Sequence, residues 1–389
     1  MTLSLWFFGI IFPFLAAMLL TTWIHPYIVR LAKRRHATDD PDARKLQKEP
    51  VPVLGGIAVF WGIMIGIGLT SMFFNSYALF TPVVAITVML YLGAIDDLLG
   101  LSPLFRLIVE AAAIAFVCWM DQVNLNNFHG LFGLWYIPVW CSAPLSIFCG
   151  LGIINAINMI DGVDGLSSSF CVMACAIFGT VFTMSFDGTM AVLAALMAGS
   201  MIPFIFHNVF GKNSKMFIGD AGTLMMGIVM IIFVLHIIDS NSRVSLRFPT
   251  MGLVAFTISV LSVPIFDTLR VMTGRIIKGV SPFHADKSHL HHLFLEIGFS
   301  HAGTSVCVIL LNLLNVLCWF ITWRLGGGAL DQFAVVVIVG LFNTVGVYFI
   351  VRRLNRNRLP YRILRRLAIA SHIEYGPFFR SIQQFVDKL

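Results

Sequence analysis

The sequence predicts an all-α membrane protein, a bundle of about eleven spanning helices. Three observations carry this. The 389-residue chain is 58% hydrophobic and only 12% charged, whereas a soluble domain carries about 25% charged residues. Apolar runs of about 20 residues, the length that crosses a hydrocarbon core, recur from end to end. Lysine and arginine are divided unevenly between two alternating sets of loops. A water-soluble core is excluded. No long polar segment separates the runs, so one bundle is expected rather than the two or three domains that length alone would suggest.

The expected spans lie near 3–24, 53–74, 79–95, 104–120, 137–157, 166–186, 189–209, 222–238, 250–269, 302–323 and 332–351. The first has no basic leader and is followed by its basic cluster, so it reads as a retained span and not a cleaved signal. An odd number of spans puts the termini on opposite sides. Of the 26 Lys and Arg residues, 23 fall in Arg30–Lys48, at Arg106, in Lys212–Lys215, in Arg270–Lys287 and from Arg352 onward. Only Arg243, Arg247 and Arg324 lie on the other side. The positive-inside rule therefore places the N-terminus outside and the C-terminus in the cytoplasm. This bias accounts for the net charge of +7 without nucleic acid. The chain divides into a bundle, 1–351, and a basic cytoplasmic tail, 352–389, whose "RRLNRNRLPYRILRR" suits anionic membrane lipids. All seven cysteines fall in apolar stretches and none forms a C-x-x-C pair, so they read as small apolar side chains.

With this topology, five unusual polar stretches share the cytoplasmic face: "DDPDARKLQKEPVPVLGG" (39–56), "AIDDLLG" (94–100), "NAINMIDGVDGL" (155–166), "FIGDAG" (217–222) and "SPFHADKSHLHHLF" (281–294). The outer loops are short and chemically plain by comparison. Aspartate at membrane depth costs roughly 2.5–3.5 kcal/mol even on the lenient insertion scale, so such residues call for a function. Asp96 and Asp97 are adjacent acids at a helix end; they repel unless one is protonated or a cation faces them. Asn155, Asn158, Asp161 and Asp164 recur every third position. That spacing drifts by about 60° per step on an α-helix and aligns only in a 3₁₀ turn. Gly162 and Gly165 favour a break into a loop. Either way the block offers hard oxygen ligands suited to Mg²⁺. Asp220, between Gly219 and an Ala–Gly pair, is either a helix N-cap or a ligand in a loop that a phosphate can approach closely. His289, His291 and His292 follow Lys287; adjacent histidines are a poor zinc pair, and ring N–H groups beside a lysine suit phosphate or sugar oxygens. Asp267 lies one turn from Arg270 and reads as half of a buried pair. No P-loop, dinucleotide fingerprint or serine-nucleophile motif is present, and Mg²⁺-assisted phosphate chemistry is the one reading that uses all these groups.

Taken together these loops resemble the polyprenyl-phosphate N-acetylhexosamine-1-phosphate transferases, over nearly the whole chain. The family's aspartate pair matches Asp96 and Asp97, its N-x-x-N-x-x-D-G-x-D-G-L block matches Asn155 to Leu166, and its G-D motif matches Gly219 and Asp220. The histidine motif, His289-Leu-His291-His292 after "SPFHAD", is similar to that of the bacterial undecaprenyl-phosphate N-acetylglucosaminyl-1-phosphate transferases. The peptidoglycan branch usually has three consecutive histidines and a nearby glutamate. One departure is Leu46 and Gln47 after Arg44 and Lys45, where close relatives often carry a histidine.

The resemblance implies transfer of N-acetylglucosamine 1-phosphate from UDP-N-acetylglucosamine to undecaprenyl phosphate, releasing UMP and starting O-antigen or a related surface polysaccharide. It implies a bacterial inner-membrane enzyme with a periplasmic N-terminus and a site on the cytoplasmic face. Mg²⁺ is the implied cofactor, with Mn²⁺ as a substitute, held by Asp220 and Asn158. Asp96 and Asp97 are assigned to the acceptor phosphate, as a base or through a second ion. Asn155, Asp161, Asp164, His289, His291, His292 and Lys287 are assigned to the nucleotide sugar, and Arg44 and Lys45 to its phosphates. A homodimer is compatible with this reading. The alternatives are another UDP-N-acetylhexosamine or the peptidoglycan pentapeptide donor. A transporter of an anionic metabolite is a rival from another class, but transporters place polar groups near the midplane, often with internal repeats. A non-catalytic lipid-binding scaffold is a further rival, disfavoured by the density of acids on the expected phosphate-binding face.

Overall fold

A computed structural model describes residues 7–39, 50–73, 77–282 and 286–388. Arg44, Lys45 and Gln47 lie outside them. The chain is an all-α integral membrane protein, and among the described residues nine helices are long and apolar enough to span a bilayer. In chain order the elements are α1 (Phe12–Arg34), α2 (Gly55–Thr70), α3 (Phe80–Leu99), α4 (Pro103–Met120), α5 (Val139–Met159), α6 (Leu166–Met184), α7 (Gly188–Phe210) and α8 (Gly219–Ile238). Then come α9 (Leu253–Val260), α10 (Ser262–Ile277), α11 (Leu290–Ile297), α12 (His301–Arg324), α13 (Ala329–Arg353, with a π-turn at Phe342–Gly346), α14 (Leu359–Ala370) and α15 (Pro377–Val386).

The bundle is organised around α8, whose apolar window is 94% buried. A helix that is hydrophobic on every side belongs in the middle of a bundle. Small residues let its neighbours close on it. A side chain on Gly93 of α3 would collide with the backbone of Asp220 and Ala221, and one on Gly56 of α2 with Gly222. A Cβ on Gly227 would sit 2.8 Å from the Ile154 Cα of α5. The small residues of "GDAG" thus admit the backbones of α2 and α3.

Each expected span overlaps a helix, with three differences, the first being that the helix expected near 3–24 runs on to Arg34. Gly55–Thr70 has 16 residues, too short at about 24 Å to cross alone. The expected 250–269 span is a pair, α9 and α10, bent by 77°. The physical reason is Pro264, which has no N–H to continue the helix and whose ring crowds the carbonyl one turn back. The broken ladder is repaired by Asn312 of α12, fully buried. Its amide donates to Val260 O at 2.8 Å, and its Oδ1 accepts from Val263 N and Ser262 Oγ at 2.9 Å. Such breaks survive at membrane depth only where neighbours satisfy the freed groups.

One loop read as plain is structured. Residues 121–138 carry a bridge between Asn127 and Tyr136 and pack on the end of α8, where the Asp239 carboxylate accepts from Asn126 Nδ2 at 2.8 Å. At the other end of the bundle, Val51–Pro52 pairs with Thr38–Asp39, and Pro52 O accepts from Phe217 N at 2.7 Å. Gly55 N and Gly56 N donate to Phe217 O and Ile218 O. The first polar loop is thereby stitched to the start of α8.

Candidate active site

The C-terminal ends of α3, α5 and α7 and the N-terminal ends of α4, α6, α8 and α12 meet at one end of the bundle. Between them lies a cavity of about 580 Å³, within the range of small-ligand sites. Asp97, Asn158, Asp161, Asp164, Asp220 and His292 line it, together with Lys215, Phe217 and His301.

The centre of the polar network is a residue counted in the sequence only as a topology charge. Arg106, on the first turn of α4, donates to Asp96 Oδ2 at 3.0 Å, Glu110 Oε1 at 3.0 Å and Asp220 Oδ2 at 3.4 Å. It also reaches the side-chain oxygens of Asn155 and Asn158 at 3.3 and 3.2 Å. Glu110 is fully buried, and Asn155 Nδ2 donates to its other oxygen at 2.9 Å. Asn155 therefore stands behind the cavity wall and orients Glu110. Arg106 and Glu110, at i and i+4 in an apolar helix, carried a readable signal, because ionisable residues inside a membrane helix are functional by default.

The adjacent acids part company. Asp96 faces Arg106 and accepts from Leu101 N at 2.7 Å. Asp97 accepts from the first free amides of α8, Asp220 N at 2.9 Å and Ala221 N at 3.1 Å. A carboxylate at a helix N-terminus satisfies orphan donors and meets the positive end of the macrodipole. Gly219 bends into this contact at φ +68°, and a side chain there would sit 2.5 Å from Asp97 Oδ2. Asp220 itself caps nothing. Asn158 Nδ2 donates to its Oδ1 at 2.7 Å and to Thr223 Oγ1 at 2.7 Å, and its carboxylate opens onto the cavity. Asp97 holds the start of α8, so Asp97→Asn is expected to lower both turnover and melting temperature. One oxygen becomes an NH₂ facing an N–H, a loss of about 1–3 kcal/mol. Thermal unfolding in detergent, with unchanged melting at reduced turnover, would remove the anchoring role.

Asp161 and Asp164 sit on the turn after α5. Asp161 is exposed to the cavity, with protein crowded densely around it. That crowding, with the charges of Asp220 and Asp164, pushes its carboxyl up to about 7 against the Ser167 hydroxyl bond. For Asp164, burial pulls the same way, but His301 and Lys215 outweigh it and hold the carboxyl below its ordinary value. Lys215 Nζ is 2.6 Å and His301 Nδ1 2.9 Å from Asp164 Oδ2. Neither residue is marked by its local sequence; what singles them out is the shared contact with Asp164.

The histidine segment is folded down rather than reaching outward. Its loop is tied by Arg275 to Asp286 at 2.9 Å. His289 is buried with Nδ1 2.9 Å from Asp267 Oδ2, which also accepts from Leu290 N. Arg270 meets Asp267 Oδ1 at 2.6 Å, the buried pair expected from their spacing. His291 is buried against Gly162, where a side chain would lie 2.5 Å from Nε2. Burial, with His292 and His289 nearby, lowers its ring to about 3. His292 alone of the three lines the cavity; Lys287 is exposed and does not.

Residues 79–238 match the family described as glycosyl transferase family 4. Over this stretch the chain is similar to that family. The match runs from α3 through α8 and includes every acid around Arg106. Undecaprenyl-phosphate alpha-N-acetylglucosaminyl 1-phosphate transferase of Escherichia coli (strain K12) is 27% identical over 299 residues, 76% of this chain and 79% of that protein. Its Salmonella typhi counterpart is 27% identical over 300 residues, again 76% and 79%. A probable undecaprenyl-phosphate N-acetylglucosaminyl 1-phosphate transferase of Bacillus subtilis (strain 168) is 29% identical over 308 residues, 78% and 82%. The family match ends before α11, so the histidines stand on their own geometry.

Proposed function

We propose that the protein transfers N-acetylglucosamine 1-phosphate from UDP-N-acetylglucosamine to undecaprenyl phosphate, on the cytoplasmic face of the inner membrane, to start O-antigen or a related polysaccharide. The observation that carries this is the Arg106 network at one end of the bundle, opening on a cavity with both acids and cations in its wall. A water-soluble anionic donor and a lipid whose phosphate lies at headgroup depth can meet only at such an end. The relatives' names give undecaprenyl phosphate and an N-acetylglucosaminyl 1-phosphate group, the acceptor and the transferred group of this reading.

An acceptor phosphate oxygen attacks the donor's β-phosphorus, the bond to the bridging α–β oxygen breaks, and UMP leaves with that oxygen. The acceptor is already a nucleophile, so the protein's task is positioning and charge neutralisation. Asp96 and Asp97, at the end of α3, flank the acceptor side; Asp97 does so while holding α8. Arg106 offers its guanidinium to the acceptor phosphate at the cost of its grip on Asp96 and Asp220. Lys215, His292 and His301 donate to the donor's phosphates, and the Phe217 ring offers a stacking face to the base. Asp161 and Asp164 orient the nucleotide side of the cavity.

The residues fit a divalent cation. Six carboxylates (Asp96, Asp97, Glu110, Asp161, Asp164 and Asp220) share this end with Arg106 and Lys215 as the fixed cations. Mg²⁺ is commonly held by one or two carboxylates plus substrate phosphates, a ligand set that oxygens at this end could supply. Asp220 and Asn158 would hold it, and when bound it would neutralise pyrophosphate charge.

The test is purified protein in liposomes with donor, undecaprenyl phosphate and Mg²⁺. UMP release that requires both substrates supports the reading. Donor uptake without UMP would establish a transporter instead. Running UDP-N-acetylgalactosamine and the peptidoglycan donor in parallel settles the sugar.

A further inference from the structure

The C-terminal tail carries two short amphipathic helices, α14 and α15. α14 has three faces. Leu364 and Ala368 pack on α11, the helix that carries His291 and His292, with Ala368 fully buried. A second face exposes Leu359, Ile363 and Leu367 at 69%, 49% and 57%, spaced i, i+4, i+8. The third carries Arg362, Arg365 and Arg366, all exposed and without an ion pair among the described residues. A helix in water has no reason to spend one face on unpartnered leucines beside unpaired arginines, whereas an interfacial helix needs both. α15 repeats the pattern: Ile382 and Val386 turn toward the protein, and Phe378 and Phe385 stand 77% and 63% exposed.

The tail is fastened at fixed points on the bundle. Ser300 Oγ donates to Ser371 O at 2.6 Å, and His372 Nε2 lies 3.0 Å from Gly298 O. Asp387 Oδ1 accepts from Lys212 N, Asn213 N and Ser214 N at 3.0–3.1 Å, a carboxylate in a nest of successive amides. On α12, just below the Ser300–Ser371 contact, Val306 and Leu310 are 55% and 59% exposed and begin that helix's lipid-facing side.

We propose that α14 and α15 form an interfacial platform that inserts its apolar face into a bilayer carrying anionic lipid, with Arg362, Arg365 and Arg366 reading the headgroup charge. The proposal does not depend on the reaction assigned to the cavity.

The test places the photo-crosslinking residue p-benzoylphenylalanine at Ile363, and separately at Phe378, in full-length protein. The protein is reconstituted in nanodiscs of equal phosphatidylcholine and phosphatidylglycerol, and adducts are identified by mass. Phospholipid adducts are expected at both sites, with phosphatidylglycerol favoured about tenfold. The ratio should fall toward one in the R362Q/R365Q/R366Q variant. Crosslinking to a second copy would make the stripe a dimer contact and overturn the proposal. Absence of lipid adducts at both sites, or a ratio near one in the unsubstituted protein, would overturn it too. Melting temperature, read in parallel, shows that the triple variant is folded.

Discussion

Asp220→Asn is expected to cut turnover by about 10²–10³-fold, the loss typical of removing one preorganised electrostatic contact at a phosphoryl or acyl centre, while leaving the fold intact. The substitution keeps the shape of the side chain and its contact with Asn158 can reorganise, since an amide oxygen still accepts. The helix start does not depend on it, because the α8 amides are satisfied by Asp97 and not by Asp220. What is lost is one negative charge at the cavity wall, facing Arg106 at 3.4 Å. Turnover at saturating Mg²⁺, together with a melting curve, separates the outcomes. Wild-type turnover in a folded variant would remove Asp220 from the chemistry; collapse of the fold would show that its role is structural.

Arg106→Ala is expected to be the most damaging single change. It leaves Asp96, Asp220 and the fully buried Glu110 without their shared cation. Truncating one member of a buried ion pair costs about 3–5 kcal/mol, most of it the penalty of the charge left behind. Both turnover and melting temperature should fall. The second substitution Glu110→Gln removes the worst of the stranded charge and keeps an oxygen for Asn155. The double variant should therefore recover much of the melting temperature but none of the turnover. If the double variant is no more stable than Arg106→Ala, the two residues are not energetically coupled and the network is misassigned. If it regains turnover, Arg106 serves only to neutralise Glu110.

The fold was legible because spanning helices announce themselves by length and apolarity, and because α8, apolar on all sides, has to be central. The departures arise from features that a hydropathy window averages away. Pro264 breaks one span, yet the repair by Asn312 comes from a helix some 50 positions on. The site was legible in part for a related reason. Asp96, Asn158, Asp161, Asp164 and Asp220 stand out because acids and amides are expensive in apolar surroundings. Arg106 and Glu110 are equally expensive but blended into the positive-inside count and into a span. Lys215 and His301 could not be found at all, since their meaning lies in a shared contact with Asp164 across more than 50 residues of chain. The histidine segment shows the opposite error. Adjacency in sequence assigned all three histidines to the donor, but Asp267 and Arg275 hold the segment onto the bundle, and of the three only His292 faces the cavity.

The fate of the donor's β-phosphate tests the central claim most directly. Purified protein is given UDP-N-acetylglucosamine labelled in that phosphate, with undecaprenyl phosphate and Mg²⁺, and the lipid and nucleotide products are separated. The account predicts that the label moves with the sugar into the lipid pyrophosphate and that the nucleotide leaves as unlabelled UMP. Label remaining in released UDP, with unlabelled sugar on the lipid, would mean attack at the sugar carbon and not at phosphorus, and would contradict it.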